Sequence, residues 1–172
     1  MTTALDFTGE AYHHTATDVD TLHRLVSGLS CACPLVIVNI GACFGTSVIA
    51  ILEASPTAFV FSIDVHPCPE EMANIREAGL DASSVVRVLG RSQDVALVWP
   101  QRVDMVFVDG SHLYRDVYED AVRWSALLAS GGVIAFHDYD RPPCTCVKSA
   151  VDSAMAGHEP FLHVESIVAF RG

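Results

Sequence analysis

Three side chains able to hold a cation or move a proton sit just past the ends of two largely apolar runs. Val103–Val108 closes on Asp109, followed by Gly110, Ser111 and His112, and Val133–Phe136 closes on His137 and Asp138. If the two runs are neighbouring strands, Asp109, His137 and Asp138 converge on one point. Two carboxylates and an imidazole in that arrangement suit a hard or borderline divalent cation that keeps water positions open. Such an ion lowers the pKa of a hydroxyl bound to it. The competing readings are plain ones: Asp109 as an Asx-turn residue before Gly110, and His137 as a satisfied, partly buried core histidine.

A second constellation lies upstream. The β-branched run Val36–Ile40 ends in Gly41, Gly45 follows four positions later, and a helical pattern begins at once. Strand, tight turn and helix in that order leave bare backbone N–H groups at a helix N-terminus, where a nucleotide-like ligand can approach closely. The next apolar run, Ala58–Ile63, closes on Asp64. A carboxylate beside a glycine turn is placed to accept hydrogen bonds from ribose hydroxyls. The same stretch imitates a membrane helix, since no charged residue occurs between Arg24 and Glu53 and Gly41/Gly45 form a GxxxG. Pro34, Asn39, Thr46 and Ser47 interrupt it, and a buried strand followed by a buried helix gives an equally long uncharged run.

The elements that must position these groups alternate along the chain. Helical spacing over Asp18–Leu29, with Asp18 as the expected cap, precedes the strand Val36–Ile40. A helix Thr46–Ala54, a strand Ala58–Ile63, a helix Pro69–Ala78 closed by Gly79 and a strand Val85–Leu89 follow. Then come a short helix Ser92–Val98, the strand Val103–Val108, a helix Tyr114–Leu128 and, past Gly131-Gly132, the strand Val133–Phe136. A helix Val147–Met155 and two strands, Phe161–Val164 and Ile167–Phe170, complete the pattern. Such alternation predicts an α/β, Rossmann-like three-layer sandwich: a mostly parallel seven-stranded sheet whose last strand is antiparallel. Ligands of such sheets bind beyond the carboxyl ends of the strands, which makes Gly41, Asp64, Gly90, Asp109 and His137 site candidates. The expected organisation is an N-terminal arm over residues 1–17 and one domain over residues 18–172.

Composition narrows the partners. With 172 residues and half of them hydrophobic, the chain can bury one sizeable core. A formal charge of −11 argues against nucleic-acid binding, which requires a basic face, and disfavours an anionic membrane surface. Six cysteines with no recognisable secretory leader point to reduced thiols in a cytoplasmic protein. The pairs Cys31/Cys33 and Cys144/Cys146 lack the C-x-x-C spacing of common zinc sites, so free thiols are the expectation. His13 and His14 are expected in a solvated arm, Trp124 in the core, and Lys148 on the surface at the start of a helix.

Taken together, Ile40-Gly41-Ala42-Cys43-Phe44-Gly45-Thr46-Ser47, Ile63-Asp64, Gly90-Arg91-Ser92, Val108-Asp109-Gly110-Ser111-His112-Leu113-Tyr114, Trp124 to Gly132 and His137-Asp138-Tyr139 resemble the class I S-adenosylmethionine-dependent methyltransferases. The closest group is that of macrocin-type sugar O-methyltransferases and cephalosporin-hydroxylase-like proteins. The resemblance implies an enzyme, a methyltransferase acting on a hydroxyl of a small molecule, with S-adenosylmethionine as cofactor and a divalent cation such as Mg or Mn as an assistant. It implies a cofactor site of Asn39, Gly41, Ala42, Cys43, Gly45, Ser47, Asp64, Val65, Gly90, Ser92 and Asp109, with Ser92 near the adenine. It implies a metal set of Asp109, His137 and Asp138, and places His112 on the substrate side as a base or a ligand. Asp109, His112 and His137 are thus the catalytic candidates; without a metal, His112 or His137 is the general base. Two positions depart from the family pattern. Asn39 stands where an acid is usual, and His137-Asp138 stands where metal-dependent members carry two adjacent acids, which favours manganese, iron or zinc over magnesium. Competing functions are a non-catalytic S-adenosylmethionine-binding protein and an NAD-binding oxidoreductase, although the latter expects GxGxxG. The cleft is open, closed by residues 1–17, or completed by a second subunit in a homodimer.

Overall fold

A computed structural model describes residues 2–8, 14–29 and 34–172. His13 and the Cys31/Cys33 pair lie outside the described residues. Seven strands form one sheet: β1 (Val36–Ile40), β2 (Phe59–Asp64), β3 (Val85–Leu89), β4 (Val103–Val108), β5 (Leu128–Phe136), β6 (Leu162–Val164) and β7 (Ile167–Arg171). Their order is β3-β2-β1-β4-β5-β7-β6. The pairs among the first five strands are parallel, and β7 runs antiparallel to both β5 and β6. The strand order reverses between β1 and β4, and the crevice at such a reversal is where ligands bind in open parallel sheets.

Period-two alternation sends successive side chains to opposite faces. From β4, Met105 and Phe107 join a core with Leu22, Ile49 and Ile75, carried by α1 (Ala16–Ser27), α2 (Thr46–Ala54) and α3 (Pro69–Glu77). Val106 and Val108 join the opposite core with Ala96, Trp124 and Val151, carried by α4 (Ser92–Leu97), α5 (Tyr114–Ser125) and α6 (Thr145–Ala154). The β-branched runs therefore read as continuous because both faces of the sheet are covered. Among the described residues, no helix is long and apolar enough to cross a membrane; the uncharged stretch that imitates one is β1, its turn and the nine-residue α2.

Most element ends move by a residue or two from the sequence expectation, and three differences bear on the site. α1 starts at Ala16, not Asp18, because Thr15 is its cap. The Thr15 side chain accepts from Asp18 N at 3.1 Å, and the Asp18 carboxylate accepts from Thr15 N at 2.7 Å, a reciprocal capping box. Second, α5 stops at Ser125, and Gly131-Gly132 do not precede the fifth strand but lie within it. Leu128 already pairs with Val103, with a register shift before Met105. A side chain on Gly132 would meet Ala129 O at 2.9 Å and Asp104 O at 3.1 Å, so the bulge needs glycine there. Third, the beginning of residues 1–17 packs against the domain. Ala4 and Phe7, in a short 3₁₀ turn, are buried beside α1 and α2. Ala4 N donates to Glu53 at 2.9 Å, and Thr46 Oγ1 donates to Phe7 O at 2.8 Å.

Candidate active site

The carboxyl ends of β1, β2, β3 and β4 open into one cleft of about 740 Å³. One wall is the glycine turn. Gly41 and Gly45 have φ of +94° and +86°, which a side chain would strain. Space forbids a side chain as well: a Cβ on Gly41 would lie 2.1 Å from Asp109 O, and one on Gly45 would lie 2.9 Å from Glu71 Cγ. The turn after β1 thus rests directly on the backbone that follows β4. Asn39 is fully buried and donates from Nδ2 to Gly41 O at 3.0 Å, so it braces the turn from beneath and does not line the cleft. Ser47 is also buried and does not line the cleft; Thr46 does. Below the turn, the buried Glu71 accepts from Ser62 Oγ at 2.5 Å and pairs with Arg87 Nε at 2.8 Å.

Asp64 faces the turn from the end of β2. Its Oδ2 accepts from Ala42 N at 2.8 Å and its Oδ1 from His66 N at 2.7 Å. Both oxygens keep further lone pairs toward the cleft, where Asp64, Val65 and Gly90 lie together. No neighbour lies within 4 Å of where a Cβ on Gly90 would be. Beyond Gly90, Ser92 Oγ donates to Asp120 Oδ1 at 2.7 Å and Gln93 Nε2 donates to Asp120 Oδ2 at 2.8 Å. Burial, with help from the charge of Asp116, pushes the Asp120 carboxyl up to about 7 against the pull of those hydrogen bonds.

The opposite end of the cleft is built of charges. His137, only 2% exposed, is enclosed by carboxylates. Its Nδ1 lies 3.0 Å from Asp109 Oδ1 and 3.4 Å from Asp138 Oδ2, and its Nε2 lies 3.3 Å from Asp18 Oδ2. Burial alone would push the imidazole down; the charge of Asp109 and the bonds to Asp109, Asp138 and Asp18 prevail and hold it up to about 12. Burial likewise works against the Asp138 carboxylate, yet the bond and charge of His137 keep it below the usual range. His112 Nε2 lies 3.0 Å from Asp138 Oδ2, and Cys144 Sγ lies 3.4 Å from His112 Nδ1. His14 is buried, not solvated: it stacks on His137 with ring centres 5.0 Å apart and its Nε2 lies 3.3 Å from Asp109 Oδ2.

Of the sequence candidates, Gly41, Ala42, Cys43, Gly45, Asp64, Val65, Gly90, Ser92, Asp109, His112 and Asp138 line the cleft. His137, like Asn39 and Ser47, is packed behind the wall. Tyr139 is buried in the core, its hydroxyl bonded to Asp152 at 2.5 Å and to Lys148 at 2.7 Å. Lys148 lies at the surface near the start of α6, as expected, and there pairs with Tyr139 and Asp152. Tyr114 stacks on Tyr118 at the surface, and Trp124 is fully buried. Sequence reasoning missed His14, Asp18, Gln93, Asp120 and Cys144. Only two of these left a local trace: Gln93 follows Ser92, and Thr15-x-x-Asp18 spells the capping box that orients Asp18.

A family profile described as a methyltransferase domain matches residues 38–139. The chain belongs to the S-adenosylmethionine-dependent methyltransferase family, and it is a methyltransferase. No curated protein sequence matches it. Solved structures show the same fold at low identity. A protein from Corynebacterium glutamicum is 18% identical with a TM-score of 0.75, covering 91% of this chain and 81% of that one. The O-methyltransferase NovP is 18% identical with a TM-score of 0.72, over 90% and 79%. An O-methyltransferase from Bacillus cereus, solved with S-adenosylhomocysteine, is 18% identical with a TM-score of 0.72, over 94% and 84%. The methyltransferase's glycine turn and its Asp109–His137–Asp138 cluster both fall inside the matched segment.

Proposed function

We propose that this methyltransferase acts on a hydroxyl group of a small molecule, with S-adenosylmethionine against the glycine turn and the acceptor at the Asp109–Asp138 end. The supporting observation is the contact between Gly41 and the Asp109 backbone, which joins the two ends of the cleft at van der Waals distance. S-adenosylmethionine, when bound, supplies an electrophilic methyl on a sulfonium sulfur. The open lone pairs of Asp64 accept the ribose hydroxyls. Ser92 and Gln93, oriented by Asp120, border the adenine. Holding donor and acceptor in one short cleft converts a bimolecular displacement into an effectively intramolecular one.

The residues at the acceptor end fit a divalent cation. Asp109, His137 and Asp138 each offer a ligand atom within 4.8 Å of the others, and Asp18 backs the outer nitrogen of His137, as carboxylates commonly back metal-bound imidazoles. If these residues held a divalent ion, it would supply acidification of an acceptor hydroxyl, and His137 would have to give up the proton on Nδ1 to hold it. His137 is a poor general base, since both of its nitrogens are engaged by carboxylates. His112 is the better one: it is half-exposed in the cleft wall, and Asp138 accepts from its Nε2, so Nδ1, which has only the weak partner Cys144 Sγ at 3.4 Å, is the nitrogen to take a proton.

Calorimetry with S-adenosylhomocysteine and NAD, followed by transfer of labelled methyl to a panel of hydroxyl acceptors with Mn²⁺, Mg²⁺ or chelator, tests this reading. Expected are S-adenosylhomocysteine binding without NAD binding, and transfer that chelator suppresses. Cofactor binding with transfer only to nitrogen or carbon acceptors would overturn it.

A further inference from the structure

We propose that Cys144, His112 and Asp138 form a second metal site, selective for a thiophilic divalent cation such as Zn²⁺, and that its occupation inhibits the enzyme. The inhibitory part rests on the function proposed above; the binding part does not. Asp138 and Cys144 come from the β5–α6 connection and His112 from the loop after β4, so the site forms only when the two loops meet over the cleft.

The three side chains already touch. Cys144 Sγ is 3.4 Å from His112 Nδ1, His112 Nε2 is 3.0 Å from Asp138 Oδ2, and one ligand atom from each residue falls within 4.8 Å of the others. Zinc–ligand bonds of about 2.0–2.3 Å give ligand–ligand edges of roughly 3.3–3.8 Å, so binding draws the thiolate and the carboxylate toward the same nitrogen of His112. His112 is 47% exposed, which leaves its ring room to exchange these contacts for an ion. Asp138 is held at φ +56°, in the left-handed region, and this aims its carboxylate at both His112 and His137. All three residues border the cleft, so the fourth position faces the acceptor.

Charge favours a cation over a nucleophilic thiol. The order Cys–His–Asp also describes an activated nucleophile, but burial and the charge of Asp138 push the Cys144 thiol up rather than down. The same negative field attracts a divalent ion, which displaces the thiol proton to solvent as it binds. Sulfur in the donor set separates this site from the Asp109–His137–Asp138 set, which offers oxygen and nitrogen only: thiolate selects zinc, cobalt or cadmium, whereas magnesium passes it by. Asp138 is common to both sets, and His112 is the proposed proton acceptor. A thiophilic ion on Cys144 therefore removes both from the transfer reaction.

Cobalt(II) is the probe, in protein with Cys31→Ala and Cys33→Ala so that the other C-x-C pair contributes no signal. Expected is one equivalent of bound cobalt with a sulfur-to-cobalt charge-transfer band. The band persists in Asp109→Asn and disappears in Cys144→Ser, with affinity lowered about 100-fold or more in His112→Ala. Serine serves well at the start of a helix, and Cys144 immediately precedes α6, so Cys144→Ser folds; its thermal melt checks this. A band that survives Cys144→Ser, or that vanishes in Asp109→Asn, overturns the site. Zn²⁺ then inhibits methyl transfer in the cysteine-pair background and loses at least ~10-fold in potency in Cys144→Ser. Equal inhibition of both overturns the regulatory part, while absence of any transfer counts against the proposed function and leaves the cobalt result standing.

Discussion

The two ends of the cleft are built from different materials. At the β1–β2 end, the groups offered to a ligand are backbone N–H, glycine surface and one carboxylate that is itself tied to backbone through Ala42 N and His66 N. At the β4–β5 end they are side chains: Asp109, Asp138, His14 and His112 border the cleft, with His137 and Asp18 paired behind them. Backbone sites are stiff and have fixed polarity. A cluster of titratable side chains changes charge with whatever enters it. The first suits a ligand that is always the same, and the second suits chemistry in which a proton must leave.

The sharpest way to break this contrast is Gly41→Ala, because the turn there rests on the Asp109 backbone. The new Cβ would overlap Asp109 O at 2.1 Å on a backbone already at φ +94°. We expect a loss of roughly 2–4 kcal/mol in stability and loss of S-adenosylhomocysteine binding and transfer together, measured by denaturant unfolding and calorimetry. A variant that keeps both would show that the ends are not mechanically joined.

Next in size, Asp109→Asn and Asp138→Asn separate the ends. Each keeps shape but removes charge from the His137 cluster. We expect transfer to fall by about 10²-fold or more, with cofactor affinity changed little in Asp138→Asn because Asp138 lies away from the glycine turn. Equal losses of cofactor binding and of turnover in Asp138→Asn would erase the distinction between a backbone end and a side-chain end.

That distinction also explains what the sequence could and could not disclose. Strand ends, the glycine turn and Asp64 are written locally: a β-branched run, a glycine and an acid within a few residues of each other. So are Asp109, His137 and Asp138, because strand order follows from alternation. His14 and Cys144 carry no such mark, and the capping box that marks Asp18 speaks of a helix start and not of the site. The three reach the site from the stretch before α1, from the loop before α6 and from α1, and only tertiary packing brings them together. Ser47 and Asn39 fail for the opposite reason. Each sits in the expected segment, but helix and strand geometry turn their side chains into the core. Gly131-Gly132 misled because glycine in a bulge and glycine at a boundary look the same in sequence.

Asp120 sharpens the comparison at the backbone end, where it and Glu71 are both buried and Asp120 borders the cleft. Burial raises its carboxyl from the ordinary range near 4 to about 7. Below the ordinary value both folded and unfolded chains bind the proton. Between the two values the folded chain keeps it and the unfolded chain does not, so stability falls as pH rises toward 7, with a slope of up to about 1.4 kcal/mol per pH unit. Asp120→Asn removes that component. Denaturant unfolding from pH 4.5 to pH 6, below the range in which the raised His137 adds a fall of its own, should show this fall in the wild type and a flatter curve in the variant, with Ser92 and Gln93 less firmly held and S-adenosylhomocysteine bound more weakly. An unchanged slope would mean that another group titrates in this window.

The smallest effect is expected at Asp64. Asp64→Asn retains one acceptor oxygen and places an NH₂ where the carboxylate met a backbone N–H, so one of its two bonds, to Ala42 or to His66, becomes a donor–donor clash. A lost hydrogen bond to a charged acceptor costs about 1.5–3 kcal/mol, but exposure of the site to the cleft lets water recover part of it. The glycine turn keeps its other supports, namely Gly41 N to Ile63 O at 2.9 Å and Asn39 to Gly41 O. Cofactor affinity should therefore fall by about 10-fold while the melting temperature moves little. A collapse of the fold in Asp64→Asn would mean that the carboxylate serves mainly to cap the turn, and that the ribose is held by something else.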